Sequence, residues 1–233
     1  MKKIELLRIL EKYPLFTFNE FVKITGKSIK YSRTYIYRLK KDKLIFEIEK
    51  GKYTLKDDPL IFASFITAPS YISFWTALRF YNVTTQLPND IMVASKRFRK
   101  EISFLNVKIK FYKVKYLWGY RKIRYNNFDI FIAELEKSII DSVASGLVPL
   151  SEIVDVLINE KINIVKLKEF AIKTGSKSLI KRIGFLLDKL KVDADEMLKC
   201  IDYNYIILDI NHKSKGDKNK KWRIIDNLNY DFT

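Results

Sequence analysis

Seven side chains between positions 30 and 41 have the types and the spacing to work on a polyanion. At helical periodicity Lys30, Tyr31, Thr34, Tyr37, Arg38 and Lys41 fall on one face of a helix over Ile29–Lys43, with Arg33 at its edge. Ile29, Ser32, Ile36 and Leu39 fall on the other face. Ammonium and guanidinium groups neutralise phosphates and release their counterions. Arginine can also bind guanine through two parallel hydrogen bonds, and threonine or tyrosine hydroxyls can reach base edges. Lys50 and Lys52 flank Gly51 in a turn further along and add two cations suited to nucleic-acid backbone or minor groove.

Other chemistry is less well provided for. The best constellation for a metal-dependent nuclease is Asp129, Glu134, Glu136 and Lys137, which lie close together at the end of an alternating strand. The Glu-x-Lys spacing that such a site wants is missing, because Glu136 abuts Lys137. Acids at a helix start also match the helix dipole with no catalytic role. The one cysteine, Cys200, sits in an apolar stretch and reads as a small buried hydrophobe, and the one histidine, His212, reads as a surface residue of a polar loop. A disulfide framework, a thiolate zinc site and a multi-histidine zinc site are therefore excluded. Seven glycines form no phosphate- or dinucleotide-binding pattern. No catalytic residue, metal-ligand set or cofactor is assigned. A lysine-rich loop, Lys213, Lys215, Lys218, Lys220 and Lys221, reads as a solvated hairpin connection, with a second nucleic-acid site or a face for an acidic partner as the alternatives.

These residues need elements to hold them. Lys2–Tyr13 is amphipathic at helical spacing and is stopped by Pro14. Thr17 with Glu20 predicts a capping box for a helix over Phe18–Thr25, Phe16 and Phe21 a hydrophobic staple, and Gly26 a left-handed C-terminal cap. Ser28 caps the basic helix. Leu44–Ile48 alternates as a strand, and Lys52–Leu55 returns antiparallel to it after the turn. Three helices and a two-stranded hairpin, in this order, predict a winged helix-turn-helix whose third helix enters the major groove.

Lys56–Pro59 predicts a linker, and the uncharged run Pro59–Leu78 two core helices meeting at Ala68-Pro69-Ser70, the second starting at Ser70 and ending near Tyr81-Asn82. Strands are expected over Asp90–Ala94, Val107–Phe111 and Phe128–Ile132. Helices follow over Glu134–Ser145, Ser151–Asn159, Val165–Lys173 and Lys177–Lys189. Asp193 and Glu196 predict a capping box before a short helix holding Cys200, and Tyr205–Ile210 and Trp222–Ile225 read as strands. The expected fold class is α+β: an N-terminal winged helix-turn-helix, residues 1–56, and a larger mixed α/β C-terminal domain, residues 57–233, helix-rich after residue 134.

The charge follows that division. The chain carries +17, and residues 1–56 hold 15 basic and 6 acidic residues, a net +9. Hydrophobic residues make up 48% and aromatics 14%, enough for a packed core. The uncharged run is broken by Pro69 and by hydroxyl residues, so no membrane span is expected. The start of the chain lacks the pattern of a secretory signal, which suggests a cytoplasmic protein.

Two stretches carry a resemblance. Ser70-Tyr71-Ile72-Ser73, Ala77-Leu78, Thr84-Thr85-Gln86-Leu87-Pro88 and Val93-Ala94-Ser95 resemble the signature of the AbiEi-type antitoxins of abortive-infection systems. Ala133–Asp141 resembles that family's Glu-Lys-x-x-x-Asp helix through Glu136, Lys137 and Asp141. The resemblance covers roughly residues 1–190. It implies a winged-helix protein that represses its own operon by binding inverted repeats in double-stranded promoter DNA. It also implies neutralisation of a cognate AbiEii-like nucleotidyltransferase toxin, with or without a stable complex between the two. A stand-alone winged-helix regulator without a toxin partner is the alternative, and a metal-dependent nuclease a more distant one.

Overall fold

The computed structural model describes residues 2–86, 88–159, 161–213, 215–227 and 230. The fold is α+β and divides into two compact units. The first comprises residues 1–72, 89–115 and 122–132, the second residues 73–88, 116–121 and 133–233.

The first unit begins with α1 (Lys3–Leu10), β1 (Phe16–Thr17), α2 (Phe18–Thr25) and α3 (Ile29–Lys41). The short strands β2 (Phe46–Glu49) and β3 (Lys52–Thr54) follow. Thr17 Oγ1 accepts from the Glu20 N–H at 3.2 Å, and Glu20 Oε2 accepts from the Thr17 N–H at 2.6 Å, so the capping box forms. Gly26 ends α2 at φ 62°, a conformation glycine adopts without cost. The Phe16 and Phe21 rings stack at 6.1 Å. With Leu6, Leu10, Ile36, Leu39, Ile45 and Tyr53 they make the core beneath the three helices. The Thr54 hydroxyl donates to the Pro14 carbonyl at 2.8 Å and ties the end of β3 to the turn after α1. In the sheet order β1-β3-β2, all strands run antiparallel to their neighbours.

The same unit holds most of a six-stranded mixed sheet. Its strands are β4 (Ser70–Ile72), β5 (Asp90–Ser95), β6 (Ile102–Phe104), β7 (Val107–Lys113), β8 (Tyr120–Tyr125) and β9 (Phe128–Ala133), in the order β6-β7-β5-β4-β9-β8. The central β5 pairs parallel with β7 (Ile91↔Ile109) and antiparallel with β4 (Ser70↔Ser95). It is buried from Ile91 to Ser95, which explains its unbroken run of apolar and small residues. β8 and β9 are joined at Asn126-Asn127, whose φ values of 43° and 64° suit a two-residue hairpin turn.

The outer side of β2 is covered. Ile48 belongs to a second core with Phe62, Ile66, Val93 and Phe104, and the Phe46 ring meets Phe104 edge-on at 5.7 Å. Glu49 is paired with Arg99, whose guanidinium lies 5.1 Å from the centre of the Phe111 ring. The hairpin is thus held on both faces.

The second unit is helical: α4 (Phe74–Phe80), α5 (Leu135–Ser145), α6 (Leu150–Leu157), α7 (Ile164–Lys173) and α8 (Lys177–Lys189). A 3-10 turn over Asp195–Cys200 precedes a small sheet of β10 (Ile206–Ile207), β11 (Asp217–Asn219) and β12 (Ile224–Asp226), in the order β10-β12-β11. Gly184 of α8 makes room for the buried Trp222. A Cβ on Gly184 would lie 2.1 Å from that ring.

Several expectations fail locally. Pro59–Leu78 is not two helices: two 3-10 turns, Pro59–Ile61 and Ala63–Phe65, lead into β4, and α4 starts only at Phe74. Ser70 therefore caps nothing; its hydroxyl donates to the Ser64 and Thr67 carbonyls at 3.0 and 2.7 Å. The expected Asp193/Glu196 capping box is absent, because Asp193 accepts from the Asp195 N–H in a tight turn and Glu196 pairs with Lys168. Cys200 is half-exposed rather than buried. Part of the lysine loop is β11, and its Ser214 lies outside the described residues.

Candidate nucleic-acid interface

Helix α3 is built to show one face. Ser28 caps it by accepting from the Tyr31 N–H at 3.3 Å, and Ser32, Ile36 and Leu39 are buried. Lys30, Tyr31, Arg33, Thr34, Tyr37, Arg38 and Lys41 are all exposed, with Tyr37 at 66%. Ile29, expected on the apolar side, is itself 57% exposed and takes no part in the core beneath the three helices.

The exposed face is electrostatically uncompensated. Among the described residues Lys30, Arg33, Arg38 and Lys41 form no ion pair, whereas Lys40, toward the core, pairs with Glu47. Aromatic contacts stiffen the helix: Tyr31 meets Tyr35 edge-on at 5.8 Å, and Tyr35 meets Phe21 likewise at 5.8 Å. Lys27 lies 5.9 Å from the Tyr31 ring centre. Lys30, Tyr31, Thr34 and Arg38 border a shallow hollow of about 300 Å3.

The two hairpin cations differ. Lys50 is exposed at the turn. Lys52 is half-buried; it pairs with Glu49 at 3.1 Å and donates to the Ile66 carbonyl. Its charge is committed within the protein, so Lys52 stands apart from the exposed set.

The second unit holds a buried polar centre that sequence reading did not anticipate. Lys137 is wholly buried in α5 and paired with Asp141 one turn on. The Ser73 hydroxyl, before α4, donates to Asp141 Oδ2 at 2.9 Å. The Lys137 ammonium also lies 5.3 Å from the centre of the Trp118 ring, which packs edge-on against Phe170 at 5.0 Å. Gly119, at φ 71°, lets the chain pass here, since a Cβ would stand 3.0 Å from Phe170 and 3.2 Å from Lys137. Burial pulls the Lys137 ammonium below the usual lysine range, opposed by the Asp141 charge and hydrogen bond. Ser73 comes from the Ser-Tyr-Ile-Ser stretch and Asp141 from the Glu-Lys-x-x-x-Asp stretch, so two segments far apart in sequence meet at one hydrogen bond. Lys137 and Asp141 stand four residues apart, one turn of a helix, and that spacing is the sequence signal for the pair.

The other candidate carboxylates are dispersed into ion pairs. Asp129 is held by Lys122 and Arg124 at 3.1 and 3.2 Å, which lower its pKa through their hydrogen bonds. Glu134 and Glu136 share Lys166, at 3.1 and 3.7 Å, and Glu136 also accepts from the Asn163 N–H at 3.0 Å. Among the described residues no three His, Cys, Asp or Glu side chains converge as metal ligands. His212 is exposed, with Nδ1 2.9 Å from Asp209 Oδ2. Thr84 and Gln86 side chains reach Glu152 of α6 at 3.4 and 3.2 Å, so these motif residues serve a turn. Among the described residues no helix is long and apolar enough to cross a membrane.

Comparison with protein-family models and with curated proteins finds no match to this chain.

Proposed function

We propose that the protein is a DNA-binding antitoxin and autorepressor. Its first three helices and the β2–β3 hairpin act as a winged helix-turn-helix on inverted repeats of its own promoter. The observation that carries this reading is the face of α3: four cations, two tyrosines and a threonine, all exposed, with no carboxylate paired to the cations among the described residues. A helix of this kind, capped and packed from behind, can enter a major groove with its charges available to phosphates and base edges. Lys50 at the hairpin tip reaches backbone as the wing; Lys52 holds the hairpin in place.

The antitoxin half of the reading rests on the resemblance of residues 70–95 and 133–141 to the AbiEi-type proteins. The Ser73–Asp141 hydrogen bond supports it, because it gives both matching stretches one shared structural task. The functional partner is then a nucleotidyltransferase toxin.

Co-expression with a nucleotidyltransferase encoded beside the gene tests the reading. Growth rescue by the full chain, together with a gel shift of its promoter, is expected. A promoter shift without rescue would instead favour a stand-alone winged-helix regulator.

A further inference from the structure

A second group of cations gathers in the first unit, none of them on α3. Arg8 of α1, Lys12 just beyond it, Lys56 after β3 and Arg124 of β8 border a cleft of about 730 Å3. That is the size of small-ligand sites in general. Among the described residues one carboxylate, Glu11, lines the same space. Arg124 is already paired with Asp129. Among the described residues Arg8, Lys12 and Lys56 form no ion pair. The nearby Asp58 is occupied by the Tyr125 hydroxyl and the Leu60 N–H, both at 2.9 Å.

The rest of the lining is suited to the same chemistry. Asn126 and Asn127 line it from the β8–β9 turn, and Phe128 offers a ring with the Lys56 ammonium 4.6 Å from its centre. Unpaired cations on a concave wall repel one another and focus a positive field into the hollow. An anion relieves that repulsion, and amide donors and a ring add direction.

We propose that this cleft binds a phosphate-bearing ligand, its phosphates on Arg8, Lys12 and Lys56. The phosphate comes either from a free nucleotide, whose base reaches Phe128, or from the backbone of a DNA strand. The inference does not depend on the role of α3, and the two are separated by independent variants.

Calorimetric titration of the full chain with inorganic triphosphate, with ATP and with a short duplex of arbitrary sequence tests it. Lys12→Ala/Lys56→Ala is compared with Arg38→Ala/Lys41→Ala, and Lys12→Gln/Lys56→Gln replaces the first pair if it unfolds. The cleft variant is expected to weaken triphosphate binding about tenfold or more, the loss of two charge-assisted contacts, while the α3 variant leaves it unchanged. Tighter binding of ATP than of triphosphate identifies the nucleotide as the source. Binding of the duplex alone, weakened by the cleft variant, identifies the DNA backbone. Equal binding by wild type and cleft variant, loss of triphosphate binding in the α3 variant alone, or no binding of any probe overturns the proposal.

Discussion

At the scale of single residues, the buried Lys137–Asp141 pair makes the sharpest demands. Replacing Asp141 with Asn leaves a buried ammonium without its counter-charge and is expected to cost roughly 3–5 kcal/mol in urea unfolding. The double variant Lys137→Met/Asp141→Leu removes both charges at similar volume and is expected to be close to neutral or stabilising. The folded pKa of Lys137 lies below the unfolded one, so between the two values the unfolded chain binds the extra proton. Stability from this site therefore rises with pH in that window. The unfolding free energy of wild type relative to the double variant should grow as pH rises toward 10.5, the ordinary lysine value. A flat difference would mean that the pair stays ionised and fully compensated throughout.

At the scale of elements, Gly184 illustrates what packing decides. Helix propensity alone favours alanine at a mid-helix position by about 1 kcal/mol. The Trp222 ring occupies the space of that methyl group, so Gly184→Ala is expected to lose about 1–3 kcal/mol overall, read as a lower denaturation midpoint. A raised midpoint would show that the ring can move aside. Local chemistry explains which elements were legible. The Thr17–Glu20 capping box, Gly26 and Ser28 lie at helix ends whose partners are within a few residues, and all behave as their spacing suggests. Ser70–Ile72 reads as helix because Ser and apolar residues suit either state, but β5 and β9 flank it and supply its hydrogen bonds from distant sequence. β8 was missed because Tyr-Arg-Lys-Ile-Arg-Tyr is an edge strand with much of it exposed and little hydrophobic contrast. Its one sequence signature was the Asn126-Asn127 turn that precedes β9. In the candidate site, the exposed positions of α3 follow from periodicity. The commitment of Lys52 to Glu49 and Ile66 does not, because those partners are set by how the hairpin packs.

At the scale of the molecule, the positive charge and the core divide the chain differently. Residues 1–56 hold a net +9. Their hairpin nevertheless shares a core with the six-stranded sheet through Phe46 and Ile48. Deleting residues 1–56 would remove the helices proposed to bind DNA and also uncover Phe62, Ile66 and Phe104. The remaining chain is expected to bind a hydrophobic dye and to melt at lower temperature than the full chain. An unchanged melting temperature without dye binding would show that the sheet closes its core unaided. The uncompensated cations of α3 give the DNA-binding reading its most direct test: the salt dependence of promoter binding, measured for wild type and for Lys30→Ala/Arg38→Ala. Affinity should fall steeply with salt for wild type, and the double variant, still folded by circular dichroism, should show a log–log slope shallower by about two, one for each lost phosphate contact. Equal affinities and slopes for the two proteins would contradict the assignment of α3 as the DNA-reading helix.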